Sequence, residues 1–371
     1  MHIFILTLGT RGDFELFLML GRELRRRGHH VVMGTSEFYA PGTREAGIEW
    51  ARIGNGSLDE MVSILRSLSP VQDRTQRTYL YYSRWLRPQL SISRNQITSI
   101  AAGADYFISN LKMVLQRGDR ILPGAFVTYD PPGDITDLAK YGSQNHEGRI
   151  LEVVAMNKKL ADPQDLWGEQ YHFTGFWRDE QAAAWVAPLS LRAFLDAGPA
   201  PVVVTMGSMA MFDTRKFLGD VNQALRQCGQ RGIVVGGWSG ITEPDSPGGS
   251  VQCVTEAPYE WLFPKTSCII HHGGCGTVAA VLRAGKPSIL IPQITCQEHF
   301  ARMLAEERLA TGIFDAHTLN PADLAAAIQK AVTDEQYTQS ARNWQKVVSE
   351  ERGVEAAADS IEAHWHRIPR D

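Results

Sequence analysis

The chain has 371 residues, of which 44% are hydrophobic and 21% are charged, a composition typical of a globular protein with two domains. Its formal net charge of −4 gives no strong attraction to nucleic acid, which argues against nucleic acid as a partner. The five cysteines all lie in the second half, are odd in number and include no CxxC pair. This pattern argues against a disulfide scaffold and a zinc site, so we expect reduced thiols, a cytoplasmic location and no metal.

The N-terminus predicts neither a secretory signal nor a membrane span. Its apolar run, "IFILTL" at residues 3–8, is too short for the hydrophobic core of a signal peptide. No run in the chain approaches the roughly 20 apolar residues that cross a bilayer. Peripheral association with a membrane stays open, since the chain could act on a lipid.

The first elements in chain order are a strand, a turn, a helix and a second strand. The run at 3–8 predicts a buried parallel strand, "GTRGD" a turn, and the helical spacing from Phe14 to Leu24 a helix capped near Gly28. "HHVVMGT" at 29–35 predicts the next strand, and 105–110 and 125–130 predict two more. A parallel crossover is the simplest connection for this order.

The pattern restarts after a linker rich in proline, glycine and alanine that contains one short helix near 189–196. The strands predicted beyond it are 202–208, 232–238, 267–274 and 287–293, and the helices are near 214–230, 276–284 and 298–308. We therefore predict an α/β protein with two doubly wound, Rossmann-like domains. The domains cover residues 1–175 and 201–350, the linker covers 176–200, and 351–371 form a last helix.

The stretch "HHGGCGT" at 271–277 follows a predicted strand directly, where ligands bind in open parallel sheets. Its glycines let main-chain N–H groups approach an anion, and the next helix N-terminus adds about half a positive charge. His272 and Thr277 are further hydrogen-bond donors, so the set suits a diphosphate. The Walker lysine is missing, which argues against ATP hydrolysis. The alternative is a tight turn beside a core histidine.

The motif continues for thirty residues in a way that resembles the donor-binding signature of family 1 nucleotide-sugar glycosyltransferases, in particular their bacterial natural-product and sterol-type branch. The matching positions are His271, His272, Gly273, Gly274, Gly276, Thr277, Leu282, Gly285, Pro287, Pro292, Gln297 and Ala301. "APYEWLFP" at 257–264, "VVVTMGSM" at 202–209 and "LTLGTRGDFEL" at 6–16 resemble further elements of that family. The resemblance is weakest between residues 55 and 175.

The family implies a GT-B architecture, with two Rossmann-like domains facing a central cleft. It places the acceptor on the N-terminal domain and the donor on the C-terminal domain, and its final helix crosses back to the N-terminal domain. Carried over by position, the resemblance makes Gln297 contact the donor sugar and Ala257 and Pro258 border the base. The residues it places at or near the diphosphate are Gly207, Ser208, His272, Gly273, Gly274, Gly276 and Thr277.

One departure concerns the pair that reads the sugar, which is usually Asp-Gln and here is Cys296-Gln297. A thiol is a poor hydrogen-bond acceptor, and Glu298 could replace the missing carboxylate only by turning inward. Plant members carry a ribose-binding glutamate where this chain has Ala280. The donor sugar and base, whether UDP, dTDP or GDP, therefore stay open.

Transfer to a hydroxyl needs a base, and Asp13 in the first strand-to-helix loop is the candidate that the resemblance favours. The alternative is that Asp13 is only a helix N-cap. Gly12 beside it and His146 are secondary site candidates, as are Cys296 and Glu298 in the donor half; His299 is a lesser candidate for the base.

The acceptor should meet residues 55–150, which contain the aromatic-rich stretch "TYLYYSRWLRPQL". A helix packed on the core is the more ordinary role for this stretch. For the basic side chains nearby, a solvated helix face is the favoured interpretation over contact with an acidic acceptor. These side chains are Arg74, Arg77, Arg84 and Arg87.

The resulting prediction is an inverting glycosyltransferase that uses a nucleotide-diphosphate sugar as co-substrate and a small-molecule acceptor, with no cofactor and no metal. Three other classes stay open. A nucleotide-sugar 2-epimerase would share the fold, and a non-catalytic auxiliary partner of a glycosyltransferase would keep the fold without the chemistry. A dinucleotide oxidoreductase fits less well, since GTRGD lacks GxGxxG. The oligomeric state, monomer or homodimer, is not determined by the sequence.

Overall fold

The computed structural model describes residues 1–111, 113, 115–117, 120–129, 148–162, 167–178, 185–209, 213–239 and 250–368. The chain divides into two compact units, and neither is continuous in sequence. The first unit comprises Met1–Ile64, Tyr79–Arg178 and Glu351–Asp371. The second comprises Leu65–Thr78 and Asp179–Glu350.

The described strands of the first unit build a seven-stranded parallel sheet and a short antiparallel hairpin. The strands are β1 His2–Leu6, β2 His30–Thr35, β3 Glu49–Arg52, β4 Tyr106–Ser109, β5 Gln116–Arg117, β6 Arg120–Ile121, β7 Gly124–Thr128, β8 Ile150–Val154 and β9 Tyr171–Phe173. The sheet order is β3-β2-β1-β4-β7-β8-β9, and β5 pairs with β6. Since β1 lies inside a parallel sheet covered on both faces, its residues 3–6 are all buried and all apolar.

The helices described from Met1 to Arg178 lie mostly between these strands. They are α1 Arg11–Arg26, α2 Ala40–Glu45, α3 Leu58–Leu68, α4 Arg74–Tyr81, α5 Arg87–Ile92, α6 Arg94–Ala102 and α7 Lys158–Ala161. A π-helical turn, Tyr82–Leu86, joins α4 to α5 and carries the buried Trp85. The last helix, α15 Gly353–Arg367, belongs to this unit, where Glu362 accepts a hydrogen bond from Arg27 at 2.7 Å.

The second unit repeats the doubly wound plan around six described parallel strands. These are β10 Val202–Thr205, β11 Gly232–Val235, β12 Val251–Val254, β13 Ile269–His271, β14 Ser288–Leu290 and β15 Ala310–Ile313, in the order β12-β11-β10-β13-β14-β15. Its helices are α8 Leu189–Asp196, α9 Thr214–Gln227, α10 Tyr259–Leu262, α11 Cys275–Ala284, α12 Thr295–Glu306, α13 Pro321–Thr333 and α14 Glu335–Ser349.

The predicted fold class, α/β with two doubly wound Rossmann-like domains, is confirmed by these two sheets. The predicted boundaries are less accurate. The helix predicted near 298–308 spans Thr295–Glu306, because the chain turns helical directly after the extended residue Ile294. Among the described residues, no helix is long and apolar enough to cross a membrane.

Candidate functional site

His271 ends β13 and is a structural residue of the second sheet. Its Nδ1 accepts a hydrogen bond from the Gly273 N–H at 3.2 Å, so its Nε2 carries the proton and donates to Ser288 Oγ at 3.1 Å. Burial lowers its pKa to about 3, which keeps the ring neutral. His271 thus ties β13 to β14 and shapes the loop that follows.

His272 is the residue around which the loop is built. Only 6% of it is exposed, and a Cβ placed on Gly207 or Gly274 would lie 2.7 Å or 2.5 Å from its ring. Its Nδ1 is buried and has no hydrogen-bond partner among the described residues. Burial lowers its pKa to about 4, with the Thr205 main chain acting in the opposite direction. At neutral pH the side chain therefore offers a hydrogen bond without a full charge.

The loop after β10 forms the other wall of this imidazole. Gly207 has φ of +57°, a left-handed conformation that favours glycine, and its N–H donates to Thr205 Oγ1 at 3.2 Å. Thr205 Oγ1 also shares a hydrogen bond with the Tyr259 hydroxyl at 2.8 Å, which fastens α10 to β10. Ser208 follows and is half-buried. β10 and β13 are neighbours in the sheet, so both loops leave the same edge.

The remaining predicted diphosphate contacts differ in accessibility. Thr277 is buried on α11, whereas Gly276 is exposed and a Cβ there would meet no atom within 4 Å. Ala257 is buried and Pro258 is half-buried, immediately before α10. The predicted ligand contacts of these four residues stay predictions, and the accessible part of the motif is the N-terminus of α11 at Gly276.

Gln297 lies against the same loop. A Cβ on Gly273 would approach its carbonyl oxygen to 3.0 Å, and its side-chain Oε1 accepts the Gln293 N–H at 2.8 Å. Cys296 beside it is half-buried. Glu298 Oε2 lies 3.4 Å from Arg74 Nη1 in an ion pair, and its predicted role in place of the missing carboxylate stays a prediction.

The interpretation of the arginines as a solvated helix face is wrong for Arg77 and incomplete for Arg74. Arg77 is buried, and its Nη1 donates to the Gln293 carbonyl at 2.6 Å. Arg74 pairs with Asp315 at 3.1 Å in addition to Glu298. Both arginines belong to the second unit, in its segment Leu65–Thr78. Arg84 and Arg87 are exposed, as predicted.

Asp13 lies in the first unit, at the third position of α1. The N-cap is Thr10, so the alternative prediction of Asp13 as the N-cap is wrong, although its carboxylate does complete a capping box. Oδ2 accepts the Thr10 N–H at 2.6 Å and the Thr10 hydroxyl at 3.1 Å. Oδ1 accepts from the Tyr129 hydroxyl and from Asn110 Nδ2, the latter at 3.3 Å.

The surroundings of Asp13 change the pKa of its carboxyl group. Burial raises its pKa, and the hydrogen bonds from Tyr129 and Thr10 act in the opposite direction. Gly9 has φ of +150°, and a Cβ there would lie 2.2 Å from Asp13 Oδ2, so only glycine leaves the carboxylate its place. Gly12 is exposed in open space.

His146 and His299 are the remaining histidine candidates from the sequence. His146 lies outside the described residues. His299 is half-buried on α12, and burial lowers its pKa.

The sequence did not identify several polar residues that lie around Asp13 or around the loop of His272 and Gln297. Those at the carboxyl ends of strands, or just beyond them, carried a usable signal, since that edge of a parallel sheet binds ligands. They are Asn110, Tyr129, Thr205 and Gln293. Arg77 and Tyr259 carried no such signal. In the described part of the chain, no three His, Cys, Asp or Glu side chains come together to hold a metal ion.

Two family models match the chain. The one described as "Glycosyltransferase family 28 N-terminal domain" matches residues 3–113. The one described as "Erythromycin biosynthesis protein CIII-like, C-terminal domain" matches residues 244–362. The first match contains Asp13 and Asn110, and the second contains the loop of His272 and Gln297.

Comparisons with individual proteins agree with the family models. The chain is 37% identical to the vancomycin aglycone glucosyltransferase of Amycolatopsis orientalis, over 92% of each chain. It is 30% identical to the sterol 3-beta-glucosyltransferase UGT80A2 of Arabidopsis thaliana, over 100% of this chain and 66% of that protein. Among solved structures, the calicheamicin glycosyltransferase CalG4 superposes with a TM-score of 0.68 at 18% identity, over 100% of this chain and 99% of that one. That likeness shows the shared fold.

Proposed function

Because the chain belongs to the GT-B glycosyltransferase family of these antibiotic and sterol enzymes, we propose that it transfers a sugar from a nucleoside-diphosphate sugar to a hydroxyl group of a small-molecule acceptor, with inversion at the anomeric carbon. The proposal depends on the contacts around the His272 ring. Two glycines leave room for a neutral imidazole beside the N-terminus of α11, and Gln297 lies against the same loop.

The donor binds at the second unit in this proposal. Main-chain N–H groups at the start of α11 and the helix dipole favour the diphosphate, and the His272 ring adds one N–H donor. As the bond to the sugar breaks, negative charge grows on the leaving diphosphate, and these fixed donors stabilise it. Gln297 then reads the hydroxyl groups of the sugar.

The first unit supplies the base. In its ionised form Asp13 accepts the proton of the acceptor hydroxyl, and the oxygen attacks the anomeric carbon from the side opposite the leaving group. The carbon–oxygen bond to the diphosphate breaks in the same step, which inverts the configuration. The hydrogen bonds from Thr10, Asn110 and Tyr129 keep the carboxylate oriented.

The acceptor is proposed to be a natural product or a lipid-like molecule. The relatives are named for a glycopeptide aglycone and for sterols. Two phenol groups are close enough to Asp13 to be affected by its charge: burial, with a contribution from that charge, raises the pKa of Tyr39 and of Tyr81.

The proposal includes no cofactor and no metal, since neutral donors and a helix N-terminus take the place of a cation at the diphosphate. It also places the protein in the cytoplasm, because all five cysteines are free thiols.

The experiment is a donor panel of UDP-glucose, dTDP-glucose and GDP-mannose with the wild type and Asp13→Asn. We expect slow hydrolysis or transfer from one donor, unaffected by EDTA, and a loss of about 10²–10⁴-fold for Asp13→Asn with donor affinity unchanged. C2 isomers of the sugar would instead support the epimerase. Absence of donor binding would support the auxiliary protein, and an undiminished rate for Asp13→Asn would refute the base assignment.

A further inference from the structure

Two arginines in the first turn of α4 contact consecutive carbonyl groups of the loop after β14. Arg74 Nε donates to the Pro292 carbonyl at 3.2 Å. Arg77 Nη1 donates to the Gln293 carbonyl at 2.6 Å and lies 3.3 Å from Gln293 Oε1. We call Arg74 and Arg77 the arginine clamp. Their spacing of three residues places both side chains on one side of the helix.

Arg77 is an unusual residue to bury. It is 5% exposed, and among the described residues it forms no ion pair; Asp315, whose charge acts on it, is paired with Arg74. Burial, and the charge of Arg74, lower the pKa of Arg77. A buried cation held by carbonyl oxygens is a poor source of stability, which suggests that the position is kept for its geometry.

The geometry leads directly to Gln297. The main chain of Gln293, held by Arg77 through its carbonyl, donates its N–H to Gln297 Oε1 at 2.8 Å. A main-chain N–H can only donate, so the Gln297 amide has one orientation, with Nε2 on the other side. The Gln293 side chain is fixed as well, since its Nε2 donates to the Ile291 carbonyl at 3.1 Å.

We propose that the arginine clamp positions the loop at Pro292 and Gln293 so that Gln297 presents its amide N–H₂ to a hydroxyl oxygen of the donor sugar. Arg74 and Arg77 are positioning residues in this scheme, and they determine how well the sugar moiety is recognised. The inference rests on the proposed function, because it assigns Gln297 to the donor sugar. It makes residues distant in sequence responsible for donor selectivity.

The test compares two ligands, the nucleotide sugar that the wild type binds best and its nucleoside diphosphate without the sugar. Lysine in place of Arg77 keeps the charge but loses the planar fork of donors. Titration calorimetry of Arg77→Lys should show about tenfold weaker binding of the nucleotide sugar and unchanged binding of the nucleoside diphosphate. Arg74→Lys should show a smaller change of the same kind, and it provides the test if the Arg77 variant does not fold.

Two further variants separate positioning from general stability. Arg231→Lys is the matched control, because Arg231 also donates to a main-chain carbonyl, that of Pro199 at 2.9 Å. Arg231 directly precedes β11 and so lies at the amino ends of the strands, whereas the loop of Gln293 follows the carboxyl end of β14. It should leave both affinities unchanged. In a Gln297→Ala background, Arg77→Lys should cost nothing further, since its effect acts through Gln297.

The outcomes are distinguishable. Equal weakening of both ligands by Arg77→Lys, or a loss that persists in the Gln297→Ala background, overturns the positioning role and leaves the glycosyltransferase proposal intact. If Gln297→Ala does not weaken the nucleotide sugar relative to the nucleoside diphosphate, the assignment of Gln297 is wrong and the clamp falls with it. If the wild type binds neither ligand, the proposed function itself is overturned.

Discussion

Substitution of Gly276 by alanine is expected to change folding stability and donor affinity in opposite directions. It is the second residue of α11, it is exposed, and a Cβ there would meet no atom within 4 Å. Alanine at this helical position should therefore stabilise the protein by about 0.5–1 kcal/mol, because it reduces the conformational freedom of the unfolded chain. For a unit of this size, that corresponds to a rise in Tm of roughly 2 °C.

The same substitution should weaken donor binding. If the diphosphate approaches the N–H groups at the start of α11, the added methyl group keeps it from closing on them. Loss of one hydrogen bond to a charged oxygen costs about 1.5–3 kcal/mol, which is roughly 10–150-fold in Kd. Gly276→Ala is thus expected to be more stable and to bind a nucleoside diphosphate more weakly, as measured by thermal unfolding and titration calorimetry.

Two other glycines provide the controls. Gly219, exposed in the middle of α9 with open space around it, should gain similar stability as alanine and keep full affinity. Gly274→Ala should lose both stability and affinity, because its Cβ would lie 2.5 Å from His272 Nε2. Unchanged affinity in Gly276→Ala would refute the reasoning, since the diphosphate would then not approach the N-terminus of α11.

Two further predictions concern pH. In Tyr129→Phe the acidic limb of the kcat/KM profile should move to higher pH, because the lost hydrogen bond is one that lowers the pKa of Asp13; an unmoved limb would contradict its role as the base. The pKa of His272 falls from 6.5 when unfolded to about 4 in the native state, so the unfolded state binds more protons between these values and the stabilising effect present above pH 6.5 is lost as the pH falls toward 4. From pH 7.5 to 5 this loss is about 2 kcal/mol, and urea unfolding of His272→Asn should lack it. Equal pH dependence in the two proteins would show that His272 is not buried in its neutral form.

The fold could be predicted because short apolar runs followed by glycine-rich turns occur twice. In β1, for example, residues 3–6 are continuously apolar, since both faces of a parallel sheet are covered. The boundaries were less accurate where a helix starts without a capping side chain. At α12 the residue before the helix is Ile294, which gives no N-cap signal.

The site was predictable only where a motif is contiguous in sequence. "HHGGCGT" places His272 and its glycines within a few residues, so a single short motif contains all the residues of this loop. The link from Arg77 to Gln293 joins residues separated by 216 positions, and no local pattern distinguishes this buried arginine from an exposed one. Two partners of Asp13, Asn110 and Tyr129, are likewise separated from it by 97 and 116 residues of chain.

The charges around the loop that contains His272 explain why a neutral histidine suits the proposed glycosyl transfer. His272 is kept uncharged by burial, while the nearby cations of the arginine clamp are turned toward carbonyls and carboxylates. The main-chain N–H groups and the dipole of α11, which have a fixed direction, are further sources of positive potential at the loop. In the proposed reaction, negative charge develops on the leaving diphosphate, and dipoles of fixed direction would stabilise it without reorganising. A protonated imidazole would attract any anion, whereas fixed neutral donors would favour a ligand of matching geometry, and we propose that the arginine clamp sets that geometry at Gln297.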